Sequence, residues 1–135
     1  MHRAIRQAVT LTWLLLNSQS TVDLIANPKM LLNTRKVQGE DAICVHCNSG
    51  VKIVYRVGDL PGYGNVWYKP KGIANIILML RATKKFWVIF NIEGGNCFWM
   101  VLTDREVRFH LSPNRLYYFD AAGRENIILL LKMVL

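Results

Sequence analysis

An all-β domain, a closed sandwich or barrel carrying one short core helix, is the architecture this sequence predicts. Short apolar runs recur along the chain with turn residues between them, and only one segment shows helical spacing. Of the 135 residues, 52% are apolar and 19% charged, which favours a folded domain with its own core over a disordered segment.

Leu11 to Leu16 is a continuous apolar run suited to a buried strand, and Thr21 to Ile25 forms a second. Asn27-Pro28 opens a short helical turn through Leu32, with Asn27 as N-cap and Pro28 at the first helical position. Ile43, Val45 and Cys47 alternate with other residues, as do Val51, Ile53, Tyr55 and Val57, and Asn48-Ser49-Gly50 between them signals a hairpin. The segment from Gly58 to Gly64, with three glycines and a proline, has the composition of a loop. Val66 to Tyr68 is a strand that Pro70 ends. Ile73 to Arg81 is the predicted helix, since Ile73, Ile76, Ile77 and Leu80 share one helical face. Strands follow over Phe86 to Ile92, Cys97 to Leu102, Val107 to Leu111 and Leu116 to Phe119.

Charge and cysteine content narrow the function classes. The net charge is +8, but the basic residues are scattered and no run of like charges marks a nucleic-acid arm. Basic residues and aromatics do not alternate as a stacking platform requires, so weak nucleic-acid contact through the basic surface is the secondary expectation. Cys44, Cys47 and Cys97 are too few for a disulfide framework and suit buried thiols in a reducing compartment. Cys44-Val45-His46-Cys47 lacks a second ligand pair at zinc spacing, so no metal and no cofactor are expected. The apolar stretch after Arg3 and Arg6 has no small-residue cleavage pattern, and the run from Ile127 to Leu135 is too short to span a bilayer. Neither end is expected to enter a membrane.

The words Leu15-Leu16-Asn17-Ser18-Gln19-Ser20-Thr21-Val22-Asp23 resemble a motif of copia-type retrotransposon polyproteins, in which an apolar strand delivers an aspartate followed by serine. His46-Cys47-Asn48-Ser49-Gly50 resembles the family's flap hairpin, and the stretch from Gly58 to Gly64 resembles the loop beyond it. Val66-Trp67-Tyr68, Pro70, Gly72-Ile73-Ala74-Asn75-Ile76 and Leu116-Tyr117-Tyr118-Phe119-Asp120 agree in the same order. The resemblance covers residues 11–120, which makes 1–10 a leader and 121–135 a tail towards the next polyprotein region.

That resemblance implies a retropepsin-like fold completed as a homodimer, each chain giving one aspartate to a shared site under a flap that closes over an extended peptide or polyprotein segment. The aspartate position is Asn17, with Ser18 and Ser20 beside it, and His46, Asn48, Ser49 and Gly50 are the expected substrate-binding flap residues. An asparagine there implies an inactive peptidase in the cytoplasm, within retrotransposon particles; the alternative is a non-catalytic polyprotein scaffold or nucleic-acid-binding fragment. Asp23 falls where the family also has an aspartate, so it is not a displaced catalytic acid, and its expected role is local hydrogen bonding at a strand end. Ser18, Ser20 and Thr21 lack the glycine elbow of a serine nucleophile, although His46 and His110 are available as bases. Asn17-Ser18 is also a site for slow deamidation to aspartate.

Overall fold

The computed structural model describes residues 11–18, 22–47, 50–92, 95–101 and 106–122. Among them the chain forms twelve strands and one α-helix, so the all-β expectation with a single short helix holds. The strands are β1 (Trp13–Asn17), β2 (Leu24–Ile25), β3 (Leu32–Lys36), β4 (Ile43–Cys47), β5 (Gly50–Val54) and β6 (Arg56–Leu60), then β7 (Gly64–Tyr68), β8 (Asn75–Leu78), β9 (Trp87–Asn91), β10 (Cys97–Val101), β11 (Glu106–Leu111) and β12 (Tyr117–Asp120). The helix, α1, is Met79–Lys85.

Ten strands form one sheet in the order β3-β6-β7-β2-β8-β1-β12-β11-β10-β9, while β4 and β5 pair separately as a hairpin. This sheet does not close into the expected barrel: β3 and β9 are its two ends. Polar, exposed residues along Leu32-Asn33-Thr34-Arg35-Lys36 protect the β3 edge, with a register irregularity between Leu32 and Arg35.

β1 lies inside the sheet, parallel to β8 and antiparallel to β12. Leu14, Leu15 and Leu16 are all buried, so the strand is covered on both faces, which is why its sequence is continuously apolar rather than alternating. Leu14, Leu16, Ile25, Ile77, Met100 and Phe109 belong to one core, each such side chain contributing roughly 1.5–3 kcal/mol on full burial. Asn75 sits buried where β1, β2 and β8 meet. Its Oδ1 accepts from Ala26 N at 2.9 Å and Asn27 N at 2.8 Å, and its Nδ2 donates to Leu11 O at 2.8 Å and Trp13 O at 2.9 Å. All four hydrogen-bonding capacities of the amide are used, so its burial leaves no polar group unsatisfied.

The expected turn at Pro28 forms as a 3-10 turn over Pro28–Met30, and Asn27 Oδ1 accepts from Lys29 N at 2.9 Å. Two other expectations need correction. Residues 75–78 of the predicted helix are strand β8, and the helix starts only at Met79. The helical face it was given is not a core face, since Ile73 is 89% and Leu80 62% exposed. A short β-branched run with a buried slot beside β1 pairs as strand whatever its helical spacing. The expected loop from Gly58 to Gly64 is two strand ends around a tight turn. Tyr63 N donates to Leu60 O at 2.9 Å, with Pro61 at the first central position and Gly62 at φ 76°. Proline followed by a left-handed glycine is the signature of a type II turn.

Candidate functional site

β1 carries Asn17 to the end of its pairing with β8, where Asn17 stands opposite Leu78. Asn17 is half-buried and Ser18 is exposed just beyond it. Both line a pocket of about 300 Å³ together with Leu15, Leu16, Arg115, Leu116 and Tyr117. Ser20, Asn48 and Ser49 lie outside the described residues. His46 and Gly50 are exposed on facing strands of the β4–β5 hairpin and are not among the pocket's lining residues. The fold therefore keeps Asn17 and Ser18 on one pocket wall and places His46 and Gly50, expected to bind substrate, in a separate sheet.

Arg115 is the pocket residue that sequence reasoning missed. It closes the turn between β11 and β12: Arg115 N donates to Ser112 O at 2.9 Å, and Ser112 N donates to Leu116 O at 2.8 Å. Its φ of 66° is left-handed, an unfavourable conformation for a non-glycine residue, held by that turn. The polar turn sequence Ser112-Pro113-Asn114 was the available signal, but nothing local ties it to β1.

Asp23 corrects its expectation more sharply, because its hydrogen bonds are not local. Its side chain is fully buried. Oδ1 accepts from Leu78 N at 2.6 Å and from the Tyr63 hydroxyl at 3.1 Å, while Oδ2 pairs with the Arg81 guanidinium. Arg81 and Lys85 also stand over the Tyr63 ring, 5.5 Å and 5.1 Å from its centroid, and Lys85 Nζ donates to Tyr63 O. Helix α1 thus delivers two cations to a tyrosine–aspartate pair at the start of β2. Burial, then the charge of Asp23 and the hydrogen bond to it, push the Tyr63 hydroxyl above its ordinary range.

Of the groups weighed for serine chemistry, His110 lies on β11 opposite Tyr118, and burial with the charge of Arg108 lowers its pKa. His46 is on the hairpin. Of the thiols, Cys97 is buried as expected but Cys44 is exposed, because its strand belongs to the two-stranded hairpin and not to the core sheet. Among the described residues no group of three metal-ligating side chains forms, and no helix is long and apolar enough to cross a membrane. Comparison of the chain with family models, curated proteins and solved structures finds no match.

Proposed function

We propose that this chain is the aspartic-peptidase domain of a copia-type retrotransposon polyprotein, retropepsin-like and dimeric, whose catalytic acid has become Asn17. The observation that carries the reading is the placement of Asn17 at the end of a doubly covered core strand, on the wall of a pocket. A rigid strand end beside a cavity is where a reacting side chain has to be held. A hairpin separate from the main sheet supports the flap assignment.

Aspartic peptidases share one proton between two carboxylates about 3 Å apart. One takes a proton from the attacking water while the other donates to the scissile carbonyl. Two copies of this chain bring two carboxamides to that place. A carboxamide has no basicity near neutral pH, and loss of general acid–base assistance costs roughly two to four powers of ten in rate. The domain dimerises, holds an extended peptide or polyprotein segment beneath its hairpin, and does not cut it. Its setting is the cytoplasm, within retrotransposon particles.

The test is cleavage of a mixed peptide library by the protein and by Asn17→Asp, with mass analysis of the Asn17-Ser18 peptide to exclude deamidation. Activity in the revertant alone is the expected result. Equal activity in both chains would place the catalytic group elsewhere, and silence in both, with a folded dimer, would remove the peptidase reading.

A further inference from the structure

A second cavity, of about 480 Å³, lies between the residues joining β5 to β6 and those that follow β7. It shares no residue with the Asn17 pocket. Lys52, Arg56, Lys69 and Lys71 line it alongside Tyr55 and Tyr68, and none of its lining residues is acidic. Tyr55 is 43% exposed. Lys36 Nζ stands 5.9 Å from its ring centroid and the Arg56 guanidinium 5.8 Å. Lys36 and Arg56 therefore stand over an accessible aromatic ring, at the wall of a cavity that Lys52, Lys69 and Lys71 also line. The interleaving of basic and aromatic residues that the sequence lacks as one run is assembled here from two short words, Lys52-Ile53-Val54-Tyr55-Arg56 and Tyr68-Lys69-Pro70-Lys71.

We propose that this groove binds single-stranded nucleic acid, its lysines and arginine contacting phosphates while a base stacks on Tyr55. Charge alone would suit an acidic peptide equally well. The exposed ring set between cations favours a polymer that alternates anionic groups with flat π-faces. The groove does not rest on Asn17 disabling a peptidase: it shares no residue with the Asn17 pocket, although Lys52, Ile53 and Val54 belong to the β4–β5 hairpin.

The experiment is fluorescence anisotropy of a labelled single-stranded RNA oligonucleotide with the full chain across a salt series. Five phosphate contacts predict a log–log salt slope of roughly −3 to −4. The double variant Lys69→Glu/Lys71→Glu is expected to weaken binding more than tenfold and to flatten that slope by more than one. Tyr55→Ala is expected to weaken binding about tenfold while leaving the slope unchanged. Reversing two exposed lysines elsewhere, Lys29→Glu/Lys84→Glu, controls for net charge. An equal loss there would overturn the groove. Polyglutamate displacing the RNA as well as unlabelled RNA does, with no effect of Tyr55→Ala, would transfer it to acidic peptides. Lysine acetylation read by mass spectrometry on the unmodified chain needs no variant to fold. RNA should protect Lys52, Lys69 and Lys71 selectively, and uniform protection or none would sink the proposal.

Discussion

Asn17 and Asp23 stand at the two ends of one short connection, and the fold treats them in opposite ways. Asn17 is half-exposed on a pocket wall with Arg115 nearby, whereas the side chain of Asp23 is fully sealed. Asp23 is held by a backbone amide from the end of β8, a tyrosine from the β6–β7 turn and an arginine from α1. The contrast separates two uses of a polar side chain. One position is half-buried on a pocket wall. The other is a crosslink between elements far apart in sequence, and its carboxylate is committed to its donors.

Breaking the Asp23 crosslink is expected to give the largest effect. Arg81→Met leaves a buried carboxylate without its counter-charge, which costs about 3–5 kcal/mol. The lower end applies here, since the Arg81 side chain is 37% exposed and partly screened by water. Asp23→Asn should cost less, because the amide oxygen still accepts from Leu78 N and the released guanidinium can reach solvent. Urea unfolding of the two variants checks the order. An Arg81→Met loss below about 1 kcal/mol would make the pair an ordinary surface ion pair.

Tyr63→Phe should have an intermediate effect. It removes one hydrogen bond to a charged group, about 1.5–3 kcal/mol near neutral pH. Its pH dependence has a definite sign. The folded-state pKa of Tyr63 is raised, so its stabilising contribution is complete below the unfolded value of about 10. Above that value the unfolded chain releases a proton that the folded chain keeps, and the contribution falls as pH rises. The stability difference between the protein and Tyr63→Phe should therefore shrink from about pH 10 upwards. A difference constant to pH 11 would mean that the hydroxyl is not shielded.

What the sequence disclosed and what it concealed follow the same division between local and distant causes. The N-cap of Asn27, the hairpin around Asn48-Ser49-Gly50 and the buried run of β1 are written in neighbouring residues, and all could be found without the structure. β3 could not, because its polar residues carry no alternation and its strand pairing is with the distant β6. The start of α1 was misplaced because Asn75-Ile76-Ile77-Leu78 satisfies two periodicities, and a slot between β1 and β2 decides between them. Asp23 was assigned neighbours from its own loop, yet its side-chain partners lie 40, 55 and 58 residues away. Arg115 and the basic groove are hidden for the same reason: each joins words that only the sheet brings together.

The smallest effect should come from Asn17→Asp measured as stability rather than as activity. The side chains are nearly equal in size, the position is half-exposed, and Arg115 lines the same pocket to offset a new negative charge. Replacements free of buried or strained features usually fall within about 0.5 kcal/mol, and that is the expected change near pH 7. The substitution removes the amide's two donors, so it also asks whether position 17 is a crosslink of the Asp23 kind. A loss above about 2 kcal/mol would show that the carboxamide donates a buried structural bond. Position 17 would then help to hold the fold, and Asn17→Asp would no longer be a neutral background for an activity test. A negligible loss would mean that the amide bears no structural load and that position 17 remains free to carry chemistry.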